Sequence, residues 1–231
     1  MSDDPVSIFY MTKNQNIKKP WPTKDAMAQI YEKNLWGGVN SEFYSGLGSH
    51  HPETVGPYIA AVSTFLKAFE TPPVVCDLGC GDFNVGKELI KHTKKYIAID
   101  IVPNLMAHNI KEFLAENLEF QVLDIAKDDL PLGDCAILRQ VLQHLSNSEI
   151  NRVVEKLYSF KYVILTEHLP EEAFEPNKDI ISGQGTRLKK QSGVDILAPP
   201  FNFKVKGETQ LLSIKHPGCK GVLVTTLFVI N

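Results

Sequence analysis

Residues 74–86, Val-Val-Cys-Asp-Leu-Gly-Cys-Gly-Asp-Phe-Asn-Val-Gly, constrain the fold of this chain more than any other stretch. A short apolar run ends in Asp77, Gly79 and Gly81 follow within four residues, and a helical pattern starts at Val85. Glycines at these positions let the backbone bend sharply and approach a ligand closely. Strand, tight turn and helix in that order open an α/β sheet, and ligands of such sheets sit beyond the carboxyl ends of the strands. The turn is therefore expected to be a nucleoside site.

The pattern continues downstream. Residues 85–92 are expected as the first core helix and residues 96–100 as the second strand. A helix over 103–117 should present Met106, Ile110, Phe113 and Leu114 on one face. Strands are expected at 119–123, 135–138 and 162–166. Ser146 and Glu149 have capping-box spacing, with Leu145 and Ile150 placed as a hydrophobic staple. Two closing strands, near 209–215 and 222–230, are joined by 216–221, short enough for an antiparallel hairpin.

Upstream, a polar arm occupies residues 1–20. A helix over 24–34 carries Met27, Ile30 and Tyr31 on one face, and Pro52 opens another with Val55, Ile59, Val62, Leu66 and Phe69 at helical spacing. Between them lies a loop rich in glycine and hydroxyls, Ser45-Gly46-Leu47-Gly48-Ser49. The expected fold is α/β: a Rossmann-like, doubly wound, mostly parallel seven-stranded sheet with an antiparallel last strand, plus an N-terminal helical cap. Residues 1–70 would form the arm and cap, and residues 71–231 the core, with an insertion over about 170–205.

Three acids fall at successive strand ends. Asp77 follows the first strand, and Asp100 lies about 20 residues beyond the glycine turn, the spacing of an acid that accepts from a ribose diol. Asp124, after the third strand, would meet an adenine amino group. Asp82 separates two cofactor classes. A carboxylate at the helix entrance repels a pyrophosphate, whereas a zwitterionic amino acid and a sulfonium tolerate it. The electrostatics favour S-adenosylmethionine over a nicotinamide dinucleotide.

Val75-Cys76-Asp77-Leu78-Gly79-Cys80-Gly81 resembles motif I of the class I S-adenosylmethionine-dependent methyltransferases. Asp100 matches that family's ribose-binding acid, Asp124 its adenine-side acid, and the terminal hairpin its reversed last strand. The resemblance implies cofactor contacts from Asp77, Gly79, Cys80, Gly81, Asp82 and Asn84 in the turn. Beyond the strands it implies Asp100 with Ile101 and Asp124 with Ile125. A narrower likeness is to small bacterial methyltransferase-domain proteins of undefined substrate. It rests on Trp36-Gly37, Ser45-Gly46-Leu47-Gly48-Ser49, Cys80-Gly81-Asp82-Phe83-Asn84, Asn177-Lys178-Asp179-Ile180-Ile181-Ser182-Gly183 and Pro199-Pro200-Phe201. The chain departs from that group at Val85 and over 184–187.

Methyl transfer chiefly requires donor and acceptor to be held in line, and a hydroxyl acceptor can also need a base. His144 and His168, after the fourth and fifth strands, are the candidate catalytic bases, with a hydrogen-bonded structural histidine as the alternative for each. Arg139 and Gln140 are placed at the methionine end of the cofactor, where Ser45 and Ser49 would supply further donors. Asn177, Asp179 and Arg187 are candidate acceptor-binding groups, although the charges at 187–190 suit a solvated face better. Ala198-Pro199-Pro200-Phe201 lacks the leading acid or amide, and the position, of the amino-methyltransferase motif it superficially resembles.

The net charge of −3 provides no general attraction to nucleic acid or to an anionic membrane. No apolar run approaches the ~18 residues of a membrane span. Cys76, Cys80, Cys135 and Cys219 form no C-x-x-C pair, so free thiols and a cytoplasmic location are expected, with no metal site. The expected function is S-adenosylmethionine-dependent methyl transfer to a small molecule, such as a hydroxylated sugar or other metabolite. A non-catalytic S-adenosylmethionine-binding protein and an NAD-dependent oxidoreductase are the competing readings.

Overall fold

A computed structural model describes residues 21–38, 41–215 and 220–230. Seven strands form one sheet: β1 (Val74–Leu78), β2 (Lys95–Asp100), β3 (Leu118–Val122), β4 (Cys135–Arg139), β5 (Tyr162–Leu169), β6 (Gly207–Lys215) and β7 (Val222–Val229). Their order is β3-β2-β1-β4-β5-β7-β6. β1 to β5 pair in parallel, and β7 runs antiparallel to both β5 and β6. The chain reverses its direction of sheet growth at β1, so the ends of β1 and β4 flank the crevice where ligands bind such sheets.

Strand residues alternate between two cores. Cys76, Leu78, Ala136 and Leu138 face one side with the buried faces of α1 (Thr23–Glu32) and α4 (Asn147–Leu157). Val75, Cys135, Ile137 and Ile164 face the other, against Tyr58, Val62 and Leu66 of α2 (Pro52–Lys67). The period of two along β1 and β4 sorts these residues, and each fully buried large apolar side chain contributes about 1.5–3 kcal/mol. α4 starts on the expected capping box: the Ser146 hydroxyl accepts from Glu149 N, and Leu145 and Ile150 are both buried.

Several elements differ from expectation. Residues 85–92 form two short 3₁₀ turns, Gly86–Glu88 and Ile90–His92, in place of an α-helix. Gly86, near the start of the segment, weakens helix propagation there. α3 (Pro103–Glu112) ends before residue 117; Leu114 lies beyond it and is exposed, and within it Met106 is buried while Ile110 faces outward. The inward face of α2 is rotated to Thr54, Tyr58, Val62 and Leu66. The expected arm over 1–20, residues 216–219 of the hairpin connection and Cys219 lie outside the described residues.

Among the described residues no helix is long and apolar enough to cross a membrane, and no group of His, Cys, Asp or Glu could hold a metal ion. Cys76, Cys80 and Cys135 are free thiols.

Candidate active site

β1 ends in a turn whose backbone only glycine accepts comfortably. Gly79 and Gly81 have φ of +90° and +58°, and a Cβ on Gly81 would lie 2.4 Å from Ser45 Oγ. The turn is fixed from β2: the Asp100 carboxylate accepts from Gly81 N and Val102 N, each at 3.1 Å. Burial raises the Asp100 pKa, which the backbone donors oppose. Asp77, beneath the turn, accepts from Tyr96 Oη at 2.9 Å, and burial pushes its pKa up to about 7.

Asp82 takes partners from a distant segment. Ser45 N donates to its carboxylate at 2.8 Å, His50 Nε2 lies 2.6 Å away, and Asp82 N donates to Ser45 Oγ at 2.8 Å. Tyr31 Oη bonds Ser45 Oγ at 3.0 Å, Asn84 Nδ2 donates to Ser49 O at 2.8 Å, and Tyr44 stacks on His50. From the end of β4, Arg139 donates to Gly48 O at 2.6 Å and to Ser49 Oγ at 3.1 Å, with its guanidinium over the Tyr58 ring. The loop at residues 45–50 is thereby bound down over the glycine turn as a roof.

Under this roof lies a cavity of about 330 Å³. Asp77, Gly79, Cys80, Gly81 and Asp82 line it, followed by Asp100 with Ile101 and Asp124 with Ile125. Arg139, Gln140, Ser45 and Ser49 also line it. Asp124 is steadied by Ala126 N at 3.0 Å and by an ion pair with Lys127 at 2.8 Å. Asn84 is the exception among the expected cofactor residues. It does not line the cavity, because its amide is used to fasten the roof.

The two histidines separate. His144 lines the cavity, and the Trp36 ring lies 5.2 Å from its own. Its Nδ1 faces Gly183 O at 3.2 Å, and its Nε2 faces Gln143 Nε2 at 3.2 Å. Burial pushes its pKa down to about 4, so the ring is neutral near pH 7. His168 stands apart from the cavity lining, beside Gly221 at the β5–β7 pair.

The three candidate acceptor groups are also placed away from the cavity wall, and each makes local structural bonds. Arg187 is 1% exposed, and its guanidinium donates to Leu142 O at 3.3 Å, Leu145 O at 2.8 Å and Asn147 Oδ1 at 2.6 Å. A buried guanidinium needs such acceptors, and these fasten the late insertion to the segment after β4. Asn177 donates to Asp195 O and Pro199 O, and Asp179 accepts from Asn147 N at the start of α4. Gln184 and Thr186 are the insertion residues that reach the cavity.

Sequence reasoning overlooked Tyr31, Trp36, Tyr58, Gln143 and Glu149 as cavity residues. Glu149 accepts from the hydroxyls of Thr23 and Ser182 and from Ser146 Oγ at 2.8 Å, so one carboxylate joins α1, α4 and the insertion. The available signal was the aromatic content of residues 31–36 and the position of Gln143 just after β4.

A family described as a methyltransferase domain matches residues 75–160. The fold is shared with the N-methyltransferase NodS of Bradyrhizobium japonicum WM9 in complex with S-adenosyl-L-homocysteine, at 11% identity and TM-score 0.62, over 90% of this chain and 100% of that one. Magnesium protoporphyrin IX methyltransferase of Synechocystis PCC 6803 with bound S-adenosylhomocysteine matches at 16% identity and TM-score 0.58, over 91% and 100%. Human N-acetylserotonin methyltransferase in complex with S-adenosylmethionine matches at 19% identity and TM-score 0.54. That match covers 86% of this chain, which spans 61% of the human enzyme. Residues 75–160 are thus similar to a methyltransferase domain, and the sheet order with its antiparallel β7 is the Rossmann-like fold shared with these solved methyltransferases.

Proposed function

We propose that this chain binds S-adenosylmethionine in the roofed cavity and transfers its methyl group to a small-molecule acceptor, with hydroxylated metabolites the first class to test. The observation that carries this reading is the line of Asp77, Asp100 and Asp124 around one cavity at the carboxyl edge of the sheet. Asp100, oriented by Gly81 N and Val102 N, would hold the ribose diol, and Asp124 and Ile125 the adenine. Gly79 and Gly81 let the turn pack directly against Val141 and Ser45, and the adjoining cavity wall, with Arg139 and Gln140, would take the methionine portion.

When bound, the cofactor would supply an electrophilic methyl carbon held in line with the acceptor's lone pair, its carbon–sulfur bond breaking onto sulfur and the acceptor's proton passing to solvent. The chain's contribution is positioning and exclusion of water. The roof over residues 45–50 shields the reacting end, and the neutral carboxamide of Gln140 adds no charge to it. His144 has both ring nitrogens engaged and a pKa near 4, so its role is orientation of neighbouring groups rather than storage of a proton.

Thermal shift against S-adenosylhomocysteine and NAD tests this reading. A ligand at ~100 times Kd adds roughly 2.7 kcal/mol, which raises Tm by about 5–10 °C at this chain length. A shift with NAD and none with S-adenosylhomocysteine would overturn it.

A further inference from the structure

The sector of the cavity beyond the glycine turn is lined by Trp36, Gln143, His144, Gln184 and Thr186. Its hydrogen-bond polarity follows from one fixed point. Gly183 O has no proton, so His144 Nδ1, 3.2 Å away, must carry one. A neutral imidazole protonated at Nδ1 is an acceptor at Nε2. The group 3.2 Å from Nε2 must then be the Gln143 amide nitrogen, which orients the carboxamide. Gln143 Oε1 is left buried with no partner among the described residues, on a side chain only 6% exposed. An unpaired buried carbonyl oxygen is destabilising, and a ligand that donates to it relieves that cost.

Charge narrows the ligand further. The groups around the cavity include five carboxylates, Asp77, Asp82, Asp100, Asp124 and Glu149, against one guanidinium, Arg139. Both Arg139 terminal nitrogens are engaged by the roof loop. A phosphate or carboxylate entering the Gln143 sector would face a carbonyl oxygen in place of a donor, and the nearby Arg187 lies outside the lining with its guanidinium spent on the carbonyls of Leu142 and Leu145. Trp36 and Tyr31, 5.4 Å apart edge to face, offer apolar ring surface beside it.

We propose that Gln143, oriented by His144, is the residue that recognises the methyl acceptor. The acceptor is then an uncharged or cationic small molecule that presents an O–H or N–H donor next to an apolar ring face. This rests on the methyltransferase reading of the same cavity. The test measures binding of matched probes to protein saturated with S-adenosylhomocysteine: phenethyl alcohol, phenethylamine and methyl glucoside against phenylacetate, phenyl phosphate and glucuronate. At least one donor probe should bind and the anions should not. Gln143→Leu should weaken that probe about ten-fold or more, Gln143→Glu should retain the amine, and both should bind S-adenosylhomocysteine as the parent does. Equal or tighter binding of the anions, no binding by any donor probe, or an unchanged probe affinity in Gln143→Leu would each overturn the assignment. Failure of S-adenosylhomocysteine itself to bind the parent would instead overturn the methyltransferase reading.

Discussion

Ser45 and Asp82 exchange hydrogen bonds in both directions, Ser45 N to the Asp82 carboxylate and Asp82 N to Ser45 Oγ, each at 2.8 Å. This reciprocal pair ties the loop after α1 to the turn after β1. Asp82→Ala removes the carboxylate that serves Ser45 N and His50, and leaves a part-buried amide unsatisfied. Stability should fall by about 1–3 kcal/mol, a drop of roughly 2–4 °C in Tm per kcal/mol at this size. Calorimetry of the parent and variant would measure it, and an unchanged Tm would mean that the pair does not hold the roof.

Asp100→Ala should weaken S-adenosylhomocysteine binding about ten- to a hundred-fold, since a charge-assisted hydrogen bond contributes about 1.5–3 kcal/mol. Isothermal titration measures this directly. Affinity equal to the parent's would remove Asp100 from the ribose site.

Glu167 gives a pH dependence of definite sign. The side chain is 3% exposed, and burial raises its pKa from 4.5 to about 8, against the opposing charge of Arg187. The folded state therefore holds a proton that the unfolded state releases at lower pH. The stabilisation is complete below the unfolded value and is lost as pH rises through about 8. Tm should fall between pH 5 and pH 8 more steeply in the parent than in Glu167→Gln. Parallel curves for the two proteins would contradict the assignment.

Arg187→Leu should lower stability by about 1–3 kcal/mol, because it strips Leu142 O, Leu145 O and Asn147 Oδ1 of their buried donor. Denaturant unfolding measures the loss. A variant as stable as the parent, but with weakened binding of a donor probe such as phenethylamine, would return Arg187 to the acceptor site.

The parts of this architecture that were legible in the sequence are the locally encoded ones. Strand ends are marked by β-branched runs closing on Asp77, Asp100 and Asp124, and α4 by its capping box. The glycine turn declares itself because only glycine tolerates its backbone. What was not legible depends on contacts distant in sequence. The α2 face turned inward on Tyr58, and an aromatic ring that pairs with a guanidinium from β4 has no local signature. Arg187 reads as a charged surface residue until the carbonyls of 142–147 are seen around it. The 85–92 segment has helical composition, but Gly86 at its start weakens propagation and it closes as two 3₁₀ turns.

The double use of Asp82 has a kinetic consequence. The same residue sits in the cradle and anchors the roof, so an occupant buried beneath cannot depart until Ser45 and His50 release that carboxylate. Residence time then becomes a property of the loop's detachment rather than of the ligand's own contacts. A change at this one carboxylate would therefore be felt both by the floor beneath an occupant and by the loop above it.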